Sequence, residues 1–256
     1  MTDEIRKELL RLERERDIKI LYAVESGSRA WGFASRDSDW DVRYIYVHRL
    51  EWYLRIEDEK DSQEEILPND VDLAGWELRK ALRLFRKSNP PLMEWLNSPI
   101  VYLQNFSTAD RLRELTGKFF NPKSGLHHYL HMAEGNYREY LQRDLVRVKK
   151  YFYVLRPVLA CDWIRQTGAM IPMEFRKLVE TQVTDEKIAD EIGKLLSRKI
   201  AGDELKQEPK IEILNEFLER KIKFYNDYVS RIERPEKPET ALLDELFRET
   251  IFEVWK

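Results

Sequence analysis

The sequence predicts an α+β protein in which a small mixed β-sheet module over residues 1–105 is followed by an all-helical module over residues 106–256. Two observations support this. Short runs of β-forming residues, such as 18–24 and 40–48, are confined to the first hundred positions. From Trp76 onwards, apolar residues recur mostly at helical spacing. The boundary is placed where the pattern changes.

The first module is predicted to mix helix and strand. Ile5, Leu9 and Leu12 recur at the spacing of one helical face. The run over 18–24 is apolar and rich in β-formers, and a Pro-Asn pair at 68–69 is a turn signal between two short runs. The predicted elements are a helix at 3–15, strands at 18–24 and 40–48, a turn and short helix at 25–36, an irregular excursion at 51–65 and a hairpin with strands at 64–67 and 70–75.

The second half is predicted to be helical throughout. The first long helix after the hairpin ends at Ser88-Asn89-Pro90-Pro91, where two prolines cannot continue it. The predicted helices cover 76–87, 92–96, 108–119, 125–143, 146–167, 172–182, 185–201, 211–232 and 239–255, with an extended segment at 99–103. The helical module is expected to complete the cleft for a nucleotide and an acceptor.

Composition restricts the class of protein. Of the 256 residues, 43% are hydrophobic and 36% are charged, yet the net charge is only −3, so any basic surface must be local. The single cysteine, Cys161, excludes an intramolecular disulfide and suits a reducing compartment. No apolar run approaches the roughly 20 residues that span a bilayer, and the charged N-terminus does not resemble a signal peptide. We therefore expect a cytoplasmic protein without membrane association, in which Cys161 is a buried structural thiol.

A glycine-serine pair follows the first predicted strand. Gly27 permits close backbone approach, and free N–H groups in such a turn bind anions such as phosphate. Ser28 adds a hydroxyl, and Arg29 is a candidate phosphate ligand. The alternative is an ordinary strand-to-helix turn.

Three aspartates follow, on predicted strands or directly before one. Asp39 and Asp41 are two residues apart, so both carboxylates face one side of a strand, where a divalent cation would relieve their repulsion. Asp72 lies between Val71 and Leu73 and is expected to point away from the core. An acid within a strand is disfavoured, which favours a metal-binding role. The alternative for Asp39 and Asp41 is a pair of solvated acids at the start of an edge strand.

This constellation resembles the DNA polymerase β nucleotidyltransferase superfamily. More narrowly, GSRAWGFASRDSDWDVRYIYV, DLAGWELRKALRLFRKSNPPLMEWLNSPIVY and KKYFYVLRPVLACDWI resemble the RNA-ligase-associated predicted nucleotidyltransferases. Motifs for P-loop, dinucleotide-binding and zincin chemistry are absent from the sequence.

The resemblance implies transfer of a nucleotide from a nucleoside triphosphate such as ATP, with release of pyrophosphate, and two Mg²⁺ ions or Mn²⁺ in their place. It assigns Asp39, Asp41 and Asp72 as metal-binding catalytic residues, with Asp72 at the ion that activates the acceptor hydroxyl. Gly27 and Ser28 would bind the departing pyrophosphate. The resemblance also implies RNA repair, with an RNA end as acceptor and a functional association with an RNA ligase.

The helical module offers further candidates. Lys149, Tyr153 and Arg156 fall on one face of a predicted helix and suit a triphosphate and a stacked base; the alternative is an exposed face beside the core. The histidines at 127, 128 and 131 have a spacing able to bind zinc but have no third ligand of known position.

The sequence leaves several functions open. The acceptor is an RNA end, a protein side chain or a small molecule. A different class is a non-catalytic nucleotide sensor or RNA scaffold that keeps the site for binding alone. The intact set of three acids favours the enzyme.

Overall fold

The computed structural model describes residues 1–203, 206–233 and 238–256. These residues form two compact units. The first contains the described residues of 1–30, 39–119 and 238–256, and the second contains those of 31–38 and 120–233.

The first unit consists of a five-stranded sheet and its helices. Its elements are α1 (Thr2–Arg16), β1 (Lys19–Glu25), α2 (Gly27–Ala30), β2 (Trp40–Val47), α3 (Leu50–Tyr53), β3 (Ser62–Leu67), β4 (Val71–Glu77), α4 (Leu78–Arg86), α5 (Pro90–Leu96), β5 (Val101–Gln104), α6 (Thr108–Phe119) and, after the second unit, α12 (Ala241–Val254). The α+β prediction is confirmed, and so is the hairpin, since β3 and β4 pair antiparallel around Pro68-Asn69-Asp70.

The sheet has the strand order β3-β4-β2-β1-β5. β2 and β4 are parallel, and the other three pairings are antiparallel, so the sheet is mixed. Parallel pairing brings the N-terminal ends of β2 and β4 to the same edge of the sheet. The end of β1 and the turn that follows it reach this edge as well, since Glu25 is the register partner of Val42.

The two faces of the sheet are chemically different. Val42, Tyr44 and Leu73 are buried and belong to a core cluster that includes the apolar residues of α1. Successive residues of a strand point to opposite faces, so Asp41 and Asp72 project from the other face. Because apolar residues alternate with acids along β2 and β4, one face of the sheet packs in the core while the other face carries the two carboxylates.

The second unit is mainly helical. Its elements are α7 (Pro122–Asn136), β6 (Leu145–Arg147), α8 (Val148–Thr167), α9 (Phe175–Gln182), α10 (Glu186–Ile200), β7 (Gln207–Pro209) and α11 (Glu212–Ser230). Its core is built around α8, whose residues from Val154 to Ile164 are almost all buried. Asn121 begins α7 as an N-cap by accepting a hydrogen bond from the Ser124 N–H (3.1 Å).

Three features differ from the sequence-based expectation. The predicted helix at 125–143 ends as a π-helical turn at Tyr137–Leu141. Strands β6 and β7 were not predicted, because two three-residue strands sixty positions apart leave no periodic signal. The helices Thr108–Phe119 and Ala241–Val254 belong to the unit that contains the sheet. The division into domains 1–105 and 106–256 therefore stays a prediction, distinct from these packing units.

Within residues 1–203, 206–233 and 238–256, no helix combines the length and the apolar character required to cross a membrane.

Candidate active site

Two carboxylates meet where β2 and β4 begin. Asp41 is the register partner of Asp72 in this parallel pair. Their side chains are 31% and 38% exposed, so both are reachable from solvent. The flanking residues Val42 and Leu73 are fully buried on the opposite face, which fixes the direction of both acids.

Arg43 joins the two acids. Its Nη2 donates to Asp41 Oδ1 at 3.0 Å and to Asp72 Oδ2 at 2.8 Å, while Nη1 donates to the Asp72 carbonyl at 3.0 Å. No motif in the sequence indicated Arg43. The available signal was the two-residue period of the strand, which places Arg43 on the same face as Asp41.

The electrostatic environment of Asp41 favours a cation. Burial raises the pKa of its carboxyl above the ordinary value of 3.8, and the neighbouring charges of Asp72 and Asp39 raise it further. Arg43 acts in the opposite direction and lowers this pKa. Cations therefore stabilise the charged form of Asp41, and Arg43 is one such cation within the chain.

Glu25 holds the backbone of Asp41 in place. It is fully buried at the end of β1, and its Oε1 accepts a hydrogen bond from the Asp41 backbone N–H at 2.9 Å. The Tyr102 hydroxyl donates to the other oxygen. Burial raises the pKa of Glu25, against these two hydrogen bonds. Glu25 was not predicted either, since a single acid at the end of a strand forms no sequence pattern.

The glycine turn packs directly against this acid. Gly27 has φ +61°, and a Cβ atom there would lie 2.2 Å from Asp41 Oδ2. The Ser26 N–H donates to the Asp41 carbonyl at 2.8 Å. Glycine is therefore required twice, for the left-handed backbone and for the close approach. Ser28 lies half-buried in the short helix Gly27–Ala30 that follows.

Arg29 extends from the same turn towards the beginning of β2. Its Nε donates to the Asp39 carbonyl at 3.0 Å, and its guanidinium carbon lies 3.7 Å from the centroid of the Trp40 ring. These two contacts hold the Arg29 guanidinium beside the backbone of Asp39 and the ring of Trp40. This placement agrees with a ligand for anionic groups at the site, and the assignment stays a prediction.

The three predicted metal ligands are not equally placed. Asp41 and Asp72 are brought together, whereas Asp39 is exposed just before β2 begins. Among the described residues, no three side chains of His, Cys, Asp or Glu converge as a ready-made metal site. Arg43 engages only one oxygen of Asp41 and one of Asp72. Carboxylate oxygens are what Mg²⁺ prefers, so the chemistry of this pair fits the ion.

The candidates of the helical region lie in the second unit. Lys149, Tyr153 and Arg156 are all on α8. Lys149 is half-buried and Tyr153 is exposed. Arg156 is only 3% exposed, with its guanidinium carbon 4.4 Å from the centroid of the Trp31 ring. Because Arg156 packs in the core of this unit, it has a structural role that its helical spacing from Lys149 and Tyr153 did not predict.

The remaining candidates of the second unit are three histidines and a cysteine. The three histidines of α7, at 127, 128 and 131, join no metal-binding group within the described parts of the chain. Cys161 is 1% exposed, and burial raises the pKa of its thiol strongly. This agrees with the predicted structural thiol.

Comparisons with known proteins show which family and which proteins this chain resembles. A model of the RNA repair pathway DNA polymerase beta family matches residues 1–249. A protein of Bacillus subtilis (strain 168) named "Uncharacterized protein YcgL" is 48% identical over 256 residues, which cover 100% of this chain and 98% of that protein. The crystal structure of a nucleotidyltransferase-like protein from Exiguobacterium sibiricum 255-15 covers 98% of this chain and 88% of its own, with 11% identity and a TM-score of 0.33.

Proposed function

This chain belongs to the RNA repair pathway DNA polymerase beta family, and on that premise we propose that it is a metal-dependent nucleotidyltransferase of the EC 2.7.7 type. It would transfer a nucleoside monophosphate from a nucleoside triphosphate such as ATP to an acceptor hydroxyl. The observation that carries the proposal is the register pair of Asp41 and Asp72, with the Gly27 turn packed against Asp41.

The acids would hold Mg²⁺, or Mn²⁺ in its place, through the carboxylate oxygens that Arg43 leaves unengaged. Asp41 and Asp72 are the principal ligands, and Asp39 is the third. When bound, the metal would neutralise phosphate charge and lower the pKa of the acceptor hydroxyl. Two ions at this site are the arrangement that we propose.

The residues of the chain have separable roles in the transfer. The acceptor oxygen forms a bond to the α-phosphorus as the bond to the β-phosphate oxygen breaks, and pyrophosphate leaves. The Asp72 carboxylate takes up the proton of the acceptor hydroxyl. The N–H groups of the Gly27-Ser28 turn, with Arg29, stabilise the charge that develops on pyrophosphate. Arg43 holds both carboxylates in one orientation before substrate arrives.

We propose an RNA end as the acceptor and RNA repair as the setting, in functional association with an RNA ligase. The support is the description of the matching family, together with the earlier resemblance of three sequence blocks. Lys149 and Tyr153 of α8 are proposed to bind the nucleotide, with Arg156 as their buried neighbour on the helix. We also propose that the protein acts in the cytoplasm, where its single, buried thiol stays reduced.

A non-catalytic nucleotide-binding protein is the second candidate. The observation that favours it is the Arg43 bridge, since a guanidinium already neutralises part of the charge of Asp41 and Asp72. A protein that only senses nucleotides would need no metal between these acids. The two candidates differ in whether nucleotide is transferred.

The test is transfer of label from α-³²P-labelled ATP, GTP, CTP and UTP to RNA, protein and aminoglycoside acceptors, with Mg²⁺ or Mn²⁺. The expected result is label on an RNA with a free hydroxyl end, abolished by EDTA and by Asp41→Asn. Saturable binding of a nucleoside triphosphate without transfer to any acceptor would reject the enzyme and support the sensor.

A further inference from the structure

Helix α4 presents a row of arginines. Arg79, Arg83 and Arg86 are at positions i, i+4 and i+7 and therefore share one face. Helical rise separates the first two by about 6 Å along the axis and the last two by about 4.5 Å. Such a row matches a linear array of negative charges better than a single compact anion.

None of the three guanidinium groups forms an ion pair with a carboxylate among the described residues, although Arg79 and Arg83 also line a neighbouring pocket with five acids, Glu57, Asp58, Glu59, Asp61 and Glu77. Arg83 is exposed and has no ion pair or side-chain hydrogen bond within residues 1–203, 206–233 and 238–256. Arg86 is exposed, and its Nε donates to the Pro238 carbonyl at 3.5 Å. The Arg79 guanidinium carbon lies 4.9 Å from the centroid of the Tyr53 ring. Arg83 and Arg86, which are exposed and lack an ion pair among the described residues, are therefore available to an external polyanion.

A cavity of about 380 Å³ lies beside this row, between α4 and α12. All three arginines line it. Its apolar walls come from Leu82, Leu243 and Phe247. Among the described residues that line the cavity, Asp244 is the one acid, so the three arginines give the lining a net positive charge. Cationic edges above an apolar floor suit a chain that carries phosphates on one side and flat, apolar faces on the other.

The groove is separate from the candidate active site, although both belong to the first unit. Asp72 is near the beginning of β4, and Glu77 ends the strand immediately before α4. Five residues of extended chain span roughly 16 Å. The Glu77 side chain caps α4 by accepting from the Arg79 and Lys80 N–H groups, which ties the position of the row to the end of the sheet opposite the acids.

We propose that the groove between α4 and α12, edged by Arg79, Arg83 and Arg86, binds the backbone of a single-stranded nucleic acid. The arginines would contact successive phosphates, and a base would enter the apolar cavity against Phe247. This inference rests on the proposed function in one respect, namely that the bound strand is RNA. A strand held here would be retained on the protein independently of the chemistry at its end.

The test compares two double variants that each remove two exposed positive charges from one helix of the first unit. Arg83→Gln with Arg86→Gln alters the groove, and Lys7→Gln with Arg14→Gln alters α1, where both side chains are exposed. Binding of fluorescein-labelled oligouridine is measured by anisotropy over a range of salt concentrations, with EDTA and without nucleoside triphosphate. These conditions separate strand binding from catalysis.

We expect the groove variant to bind at least about tenfold more weakly at low salt, and its salt slope to fall by about 1.4, as for two lost phosphate contacts on a single strand. The α1 variant should match the native protein. Equal losses in both variants, no loss in the groove variant, or displacement of the strand by poly-glutamate as effectively as by unlabelled oligouridine would each overturn the proposal. If the native protein binds the strand at the groove but transfers no nucleotide to any acceptor, the proposed function alone is rejected.

Discussion

Asp41 lies directly opposite Asp72 across the only described parallel pairing of the sheet, that of β2 with β4, and Arg43 donates a hydrogen bond to each carboxylate. Parallel pairing in register places like charges side by side, a repulsive arrangement that a cation relieves. Arg43 supplies part of that positive charge from within the chain. The arrangement leads to four predictions.

Asp72→Asn should abolish nucleotide transfer while leaving the fold intact, because it removes a charged oxygen ligand and the acceptor of the proton without changing shape. We expect a loss of at least about 100-fold in kcat/KM. Asp70→Asn is the matched control, since Asp70 lies two residues away in an exposed turn with φ +60°, which asparagine also tolerates. Equal activity of the two variants would remove Asp72 from the mechanism.

Gly27→Ala should damage both the fold and the site. The new Cβ would be 2.2 Å from Asp41 Oδ2, and the backbone is left-handed. Gly32→Ala is the control, because its φ is +84° but nothing lies within 4 Å of the added atom. Backbone strain should cost each variant about 1–2 kcal/mol in the free energy of unfolding. Only Gly27→Ala should also lose transfer activity, and loss in both variants would attribute the effect to strain rather than to Asp41.

Arg43→Gln should make the protein depend on a divalent cation for stability. Without Mg²⁺, loss of the charged hydrogen bonds to the two carboxylates should lower the free energy of unfolding by about 1–3 kcal/mol. Added Mg²⁺ should then raise the Tm of Arg43→Gln more than that of the native protein, because the ion no longer competes with a guanidinium.

The control for Arg43→Gln is Arg49→Gln, which breaks an exposed ion pair with Asp17 (3.0 Å). Exposed pairs contribute only about 0–1 kcal/mol, so this variant should lose little stability, and its Tm should respond to Mg²⁺ as that of the native protein does. Thermal unfolding by circular dichroism measures both. An Mg²⁺ response of the same size in all three proteins would contradict a cation site at Asp41 and Asp72.

Asp41 should make stability depend on pH in a defined direction. Burial raises the pKa of Asp41 above 3.8 in the folded protein. Arg43 lowers this pKa in part, and repulsion from Asp72 and Asp39 raises it. The folded state therefore holds this proton at a higher pH than the unfolded state does. The contribution of Asp41 to the free energy of unfolding falls as pH rises from 3.8 through the raised value.

Asp41→Asn removes this titration. The free energy of unfolding of the variant, minus that of the native protein, should increase as pH rises from about 4 to 7. Urea unfolding at a series of pH values measures the difference. Loss of the hydrogen bond from Arg43 adds only a constant, since a guanidinium stays charged throughout this range. A difference that is flat or falls with pH would refute the raised pKa.

Much of the architecture follows from local pattern. The alternation around Val71, Asp72 and Leu73 correctly indicated which side chains are buried, because burial in a strand has a period of two. Helices with apolar periodicity, such as Thr108–Phe119, were predicted with their observed bounds. The family was recognisable from the same residues, since glycine, serine and aspartate at fixed spacing are constrained by chemistry as well as by packing.

The tertiary structure decided which of these residues act together. Parallel pairing of β2 with β4 put Asp41 beside Asp72, and the fold added Glu25 and Arg43, which no motif indicated. It also placed Arg156, a candidate by spacing, in a buried core. The physical reason is that periodicity reports the direction of a side chain within its own element. Which side chains meet depends on strand order and register, and these are set by contacts between residues far apart in the chain.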